Sequence, residues 1–461
     1  MKQILLAGFA LALAAPFGAS AETPPTTPSE IKLLRQEIDT MRAAYEARLQ
    51  ALEQRLVAAE RVATPAPTTA DVALAAPPAA ESSTGGANAF NPAMSLILSG
   101  GYTQTSQDPA SYHIAGFQLP KGTSAGPGSR GFGLGESELG FAANIDPWLR
   151  GAANISLHPD DTVSVEEAFI QTTSLTNGLS LKAGRFFSGA GYLNSQHAHT
   201  WDFVDNPLAY QAMLGTQFGD DGVQLHWLTP TDQYVELGAE LGRGRSFPGS
   251  DTGRNGAGMS ALTVHTGGDI GVSHNWRAGV SLLTAQANDQ SLTTMDATGS
   301  TVINSAFTGD TRVWVIDGVW KWAPNGNATQ TNFKLQGEYL QSTRSGSLTT
   351  DVGNTNLTDA YRTEQSGWYL QGIYQFMPSW RLGLRTERLN SGTPDYGVNA
   401  ASFASSSYQP SKNTLMLDFN PSEFSRVRLQ LAQDKSRVGL TDNQVFLQYQ
   451  MSLGAHGAHS Y

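Results

Sequence analysis

Cysteine is absent from this chain of 461 residues. Disulfide stapling and thiolate metal centres are therefore excluded, and a thiol-free chain suits passage through an oxidising compartment before folding. Charge is also sparse. Asp, Glu, Lys and Arg make up 15% of the residues, with 29 basic against 40 acidic and a formal net charge of −11. That acidic excess argues against nucleic acid or an anionic lipid surface as partner. Long apolar runs are lacking too: after the first 21 residues no window approaches the roughly 20 apolar residues of a membrane-spanning helix, so any insertion into a bilayer has to use strands. Catalytic signatures are missing as well. There is no G-x-S-x-G elbow, H-E-x-x-H helix or phosphate-binding loop, and the acidic pairs Asp160-Asp161 and Glu166-Glu167 read as rim charges. The chain is not expected to be an enzyme.

What is present begins with an export address. Residues 1–21 carry Lys2, an apolar stretch from Ile4 to Ala15, and small residues at Ala19, Ser20 and Ala21. This is the layout of a cleaved secretory signal, which predicts a mature start near Glu22. Residues 22–62 predict one helix capped at Ser29. Ile31, Leu34, Ile38, Met41, Tyr45, Leu49, Leu52, Leu56 and Ala59 recur by threes and fours, a heptad seam with one four-residue stutter. The seam predicts a coiled coil on the order of 50 Å long, with a lone amphipathic helix as the alternative; its mixed side chains do not select two, three or four strands. Residues 63–88 are mostly Ala, Pro, Thr, Ser and Gly, the composition of a linker.

From residue 89 to 461 the apolar period changes from 3.6 to 2. Val427, Leu429 and Leu431 alternate with Arg426, Arg428 and Gln430; Trp380, Leu382 and Leu384 alternate with Arg381, Gly383 and Arg385. Each such strand has one wet and one greasy face. A soluble sandwich shares this pattern, so the count and the connections decide. About sixteen strands run from near Met94 to near Val445. Short connections alternate with long ones at 106–130, 188–221, 242–260, 289–310, 345–364 and 390–412, the brief 158–161 excepted. That asymmetry predicts an all-β fold: a transmembrane antiparallel β-barrel of about sixteen strands, preceded by an N-terminal α-helical coiled coil. Both barrel ends fall on the short-turn side, which places the stalk in the periplasm. The last segment, 445–461, resembles the C-terminal strand of bacterial outer-membrane proteins and stops on Tyr461.

With that pattern in hand, the segments RGFGLGESELGFAANIDP (130–147), LKAGRFFSGAGYLNSQHAHTWDF (181–203) and GDDGVQLHWLTPT (219–231) resemble a group of proteobacterial porin-like outer-membrane proteins. Members often carry a signal peptide, a coiled coil and a Pro/Ala linker in this order, and the group is sometimes labelled a zinc-regulated TonB-dependent outer-membrane receptor. The resemblance implies a general-porin-type barrel in the outer membrane. Where a TonB-dependent transporter would hold a globular plug, this chain has a helix and a linker.

For a channel, the working parts are the lumen-facing parity and whichever loop narrows the bore. Parity assigns Glu136, Glu138, Lys182, Glu236, Glu240, Arg277, Lys334, Glu338, Arg381, Arg385, Asp418, Arg426 and Arg428 to the lumen. The third external connection, 188–221, carries Tyr192, Trp201, Phe203, Tyr210 and Met213. A loop this apolar is expected to fold inward and form the constriction. Its acids Asp202, Asp205, Asp220 and Asp221 would then face Arg381, Arg385, Arg426 and Arg428 and create a transverse field; the alternative is that these arginines only keep a wet wall hydrated. His197 and His199, with Asp202 nearby, form a candidate zinc site, and His456 and His459 a second pair, against the alternative of loop hydrogen bonding.

Three readings follow. The first is a passive porin for small hydrophilic solutes or ions, embedded in outer-membrane lipid and assembled as a homo-oligomer, a trimer. The second is a selective receptor or channel for a metal ion (zinc) or a small nutrient. The third is an envelope tether whose coiled coil contacts the cell wall or another envelope protein.

Overall fold

The computed structural model describes residues 92–454, apart from 123–124, 251–252, 254, 297–300 and 404–406. The expected signal (1–21), coiled-coil helix (22–62) and linker (63–88) lie outside the described residues, as do His456, His459 and Tyr461.

Eighteen strands are described. The first nine are β1 (Ala93–Thr105), β2 (Leu119–Pro120), β3 (Gly131–Leu134), β4 (Ser137–Asn144), β5 (Leu149–Leu157), β6 (Val163–Thr172), β7 (Leu179–Phe187), β8 (Gly219–Leu228) and β9 (Tyr234–Gly242). Then come β10 (Met259–Ile270), β11 (His274–Met295), β12 (Val302–Trp322), β13 (Asn332–Thr350), β14 (Leu357–Met377), β15 (Trp380–Asn390), β16 (Ser411–Ser422), β17 (Ser425–Lys435) and β18 (Asp442–Gly454). β3 and β4 are two halves of one stave, both paired with β1, and β2 is a loop segment paired with the far end of β11. The wall therefore has sixteen staves. Each pairs antiparallel with its neighbour in sequence, and β18 pairs with β1 from Ser95↔Gly454 to Thr105↔Gln444, which closes the barrel. Closure leaves no unpaired edge, the condition for a sheet to cross a bilayer.

The alternation seen in the sequence becomes two faces. Leu262, Val264, Ile316, Leu370, Leu384, Leu429 and Leu447 stand exposed on the outside, while Gln336, Glu338, Arg385, Glu387, Arg428 and Gln430 are buried within. Burying a Leu-sized side chain is worth about 1.5–3 kcal/mol, so a whole belt held in water would cost roughly tens of kcal/mol. Lipid is the solvent this surface fits. Exposed Trp148, Trp227, Tyr234, Tyr374, Phe376 and Phe424 ring the short-turn end, and Tyr102, Phe132, Trp314 and Trp368 stand higher on the same face. These are the two aromatic girdles of a membrane barrel.

Two long connections expected from sequence are mostly strand. β11 runs on to Met295 and β12 begins at Val302; β13 runs to Thr350 and β14 begins at Leu357. The described parts of segments 289–310 and 345–364 are thus the upper parts of two tall hairpins. Their Thr- and Ser-rich composition reads as loop, but Phe307, Leu348 and Tyr361 supply an inward apolar stripe that packs with Ala287, Leu292 and Phe403. The first connection also does more than span neighbours. Leu119 and Pro120 pair with Thr293 and Leu292 across the barrel from β1, and Ala115 N–H donates to the Ser436 carbonyl at 2.9 Å.

Candidate functional site

The site is built by the third connection, 188–218, and the inner wall around it. Its α-helix, α1 (Leu208–Leu214), has every residue buried. Leu208, Ala209, Tyr210, Met213 and Leu214 pack with Met259, Leu283, Val313, Val315, Leu340, Tyr369 and Leu389, inward residues of β10 to β15. Those wall positions are apolar although they face inward, because the helix and not water covers them. Gly367 makes the approach possible, since a Cβ there would strike the Leu389 side chain and crowd Ala209.

Glu338 on β13 seats the start of the segment. It accepts from the Tyr192 and Leu193 amides at 3.1 and 3.0 Å and from the Tyr210 and Tyr369 hydroxyls at 2.8 and 2.6 Å. Gly191 sits at φ +79°, and a Cβ at that position would collide with the Glu338 carboxylate, so glycine is required there.

The next stretch meets a charged wall. Asp202 pairs with Lys334 and with Arg381 (3.2 Å) and accepts from Gln371. Asp205 pairs with Arg385 (2.8 Å) and Lys412 and accepts from Gln430 at 3.0 Å. Behind them Asp418 binds Arg381 and Arg428 (2.8 Å), and Glu387 binds Arg385 (2.8 Å) and the Leu208 amide. Arg426 and Arg428 donate to the Trp201 carbonyl at 3.2 and 2.8 Å, and Arg426 also to that of His199. Burial alone would raise the carboxyls of Asp202 and Asp205, but Lys334 with Arg381, and Lys412 with Arg385, outweigh it and hold both well below the usual carboxylate range.

Two expectations are corrected here. Asp220 and Asp221 do not face the opposing arginines: β8 resumes at Gly219, three residues earlier than its apolar parity indicates, and both acids are already on the strand. Asp221 pairs with Arg185 (2.6 Å), and Asp220 accepts from the Gly244 and Arg245 amides. The opposed rows with a field between them are not found either. Asp202 and Asp205 touch their cations, so acid and base neutralise each other at contact. Lys182 is placed over the Phe169 ring, 4.4 Å from its centroid, and Tyr192 lies beneath the Arg277 guanidinium at 5.5 Å.

On the other side of the segment stand His197 and His199, ring centroids 5.7 Å apart and stacked. Asp202 is engaged elsewhere, and their acidic neighbours come from the wall instead. His197 Nδ1 lies 3.0 Å from Glu166 and 3.3 Å from Glu138; its Nε2 lies 2.9 Å from Glu167 and 3.0 Å from the Asn154 amide nitrogen. His199 Nδ1 lies 2.9 Å from the same Glu138 oxygen, and Glu136 hydrogen-bonds Glu166. Burial would lower His197, but its hydrogen bonds to Glu138, Glu166 and Glu167 raise it well above the ordinary histidine value. Glu166 and Glu167 are adjacent on β6, and adjacent strand residues point to opposite faces. A β-bulge resolves this: Asn154 pairs with Glu167 and Ile155 with Val165, which leaves Glu166 as the extra residue and turns both carboxylates inward. Period-2 reading misses such a pair, and reading Glu166-Glu167 as rim charges is corrected accordingly. Lys412 falls at the end of the expected 390–412 connection, and Glu387 and Asp434 sit on strands whose apolar alternation says only that they are wet, so the sequence carries no signal for these three.

A closed sixteen-stave antiparallel barrel with a lipid-compatible exterior and a charged interior defines a porin-like outer-membrane protein. No family model matches the chain. An uncharacterized protein of Aquifex aeolicus (strain VF5) is 31% identical over 348 residues, 72% of this chain and 70% of that protein, and this chain belongs to the same family. Among solved structures it is similar to a loop-deletion mutant of the outer-membrane protein OmpT of Vibrio cholerae (11% identity, 79% of this chain and 100% of that one, TM-score 0.48). It is also similar to the outer-membrane channel DcaP of Acinetobacter baumannii (12%, 78% and 97%, 0.47) and an anion-selective porin from Comamonas acidovorans (11%, 78% and 99%, 0.48).

Proposed function

We propose that this protein is an outer-membrane porin through which small hydrophilic solutes or ions diffuse passively. The carrying observation is the inverted polarity of a closed barrel: apolar side chains outside, ionised ones inside. Sixteen staves enclose more space than wall side chains fill, so a water path can run beside the buried ion pairs of the inner face and solute can pass. In this reading the third connection narrows the bore. Its contacts to β4 and β6 on one side and to β13–β17 on the other support that role, as does the apolar packing of α1. Tyr192, Trp201, Asp202 and Asp205 then form the constriction, and Glu136, Glu138, Lys182, Lys334, Arg381, Arg385, Arg426 and Arg428 line the wall.

The assembly that goes with this reading is a homotrimer, with residues 22–62 as a periplasmic coiled coil joined through 63–88. Planar-bilayer recording of the purified protein tests the channel: discrete conductance steps without an energy source are expected, and a silent bilayer with folded, inserted protein sinks the proposal. An envelope tether predicts instead that deleting 22–88 loosens the envelope while conductance persists. The selective-receptor reading is favoured by one observation, the imidazole–carboxylate cluster at His197 and His199.

A further inference from the structure

Residues from three separate elements converge at one point of the inner wall. Glu138 comes from β4, Glu166 from the bulge in β6, and His197 and His199 from the third connection. One ligand atom each of Glu138, His197 and His199 lies within 4.8 Å of the others, a grouping able to hold a metal ion. Side-chain exposures of 9–15% remove most competing water from Glu138, Glu166, His197 and His199.

We propose that Glu138, Glu166, His197 and His199 form a binding site for a first-row divalent cation of the zinc class, which ties the third connection to the β4–β6 wall.

Three features of the geometry carry this. First, the spacing fits a tetrahedral shell: two N or O ligands at about 2.0–2.1 Å from zinc stand about 3.3 Å apart. Here the separations are 3.3 Å (His197 Nδ1 to Glu138), 2.9 Å (His199 Nδ1 to Glu138) and 3.0 Å (His197 Nδ1 to Glu166). Second, His197 Nδ1 faces two carboxylates at once. A single N–H serves one of them well, whereas a cation takes both together with the nitrogen. Third, the far nitrogen of His197 already has the partner that metal-bound histidines use. Nε2 lies 2.9 Å from Glu167, so an N–H there donates to a carboxylate and leaves Nδ1 bare for the metal.

Charge points the same way. Glu138, Glu166 and Glu167 bring three carboxylates to two imidazoles, an excess that the Lys182 cation near Glu167 offsets only in part. Two imidazoles select against calcium and magnesium, which prefer all-oxygen shells, and favour zinc and its neighbours. The bulge at Glu166 is what assembles the set, since a regular strand would aim Glu166 or Glu167 at lipid.

The test uses the full chain in detergent, titrated with zinc chloride by calorimetry and with cobalt(II) by visible absorption. We expect one site per chain on an H456A/H459A background, intense tetrahedral cobalt absorption, and binding that releases protons. H197A/H199A should weaken zinc affinity at least 100-fold, E167Q by about 10–100-fold, and H274A not at all. Zinc affinity of H197A/H199A within threefold of its parent overturns the proposal. So does calcium displacing zinc at comparable concentration, which marks an acidic cluster only, and so does weak six-coordinate cobalt absorption. The cobalt spectrum of the unaltered chain needs no variant to fold. Binding is read without any current, so its failure leaves the porin reading standing, and a silent bilayer leaves the metal site standing.

Discussion

Asp202 and Asp205 show how much two side chains decide in this molecule. They are the carboxylates that the third connection brings to Lys334, Arg381, Arg385 and Lys412. Removing one partner from a buried ion pair costs about 3–5 kcal/mol, because the other is left uncompensated. D202N/D205N is therefore expected to loosen the segment and to leave the wall cationic, raising anion preference and open-channel noise; reversal potentials in a salt gradient measure it, and unchanged selectivity contradicts it. The pH dependence has a defined sign. Both carboxyls are depressed in the folded state, so their contribution is complete above the ordinary carboxylate value of about 4 and is lost as pH falls through their lower folded values. Conductance should be steady from neutral pH to about 4 and change below that, and a transition near pH 6 would point to other groups.

At the scale of elements, the question is what holds α1 to the wall. The helix has seven residues, too short to persist alone in water, and its stability comes from apolar contact with β13, β14 and β15. Gly367 is the floor of that contact. G367V should displace α1 and lower the thermal midpoint by several degrees, since overpacking costs about 1–3 kcal/mol; calorimetry measures the shift, and an unchanged midpoint with unchanged conductance removes α1 as a packed element. The tall hairpins teach a related lesson. Ser-, Thr- and Gly-rich stretches at 289–310 and 345–364 read as loop because polar residues on both faces hide the period, yet neighbouring strands supply the hydrogen bonds and Phe307 with Tyr361 the packing.

For the whole barrel, polarity is the property to challenge. Leu384 is 61% exposed on β15 and faces outward, whereas Gln336 is buried on β13 and faces inward. L384R is expected to destabilise the folded barrel by about 2–4 kcal/mol if it sits near the bilayer midplane. S180K, at a half-buried inward position of β7 between the exposed Leu179 and Leu181, should be tolerated far better in a hydrated lumen. Unfolding from bilayers reads both, and the opposite order would mean that the exposed face meets water. Much of this scale was legible in advance: the number of staves, their in–out parity and the short-turn end all follow from alternation and connection length.

Which side chains could face lipid was readable from the chain alone, because period-2 alternation is a local property of an extended chain and needs no partner to be read. The sequence also marked the 188–221 segment as too apolar for water. Which charges meet is set by the folded barrel. Asp202 finds Arg381 and Asp205 finds Lys412 across separations of 179 and 207 residues, set by the closure of the barrel. Glu166 joins the histidines through a single-residue bulge, which shifts the face of every residue beyond it and leaves no trace in the composition. Contacts of that range depend on register, and register is a collective outcome of all sixteen staves, each of which must pair on both sides before any one position is fixed.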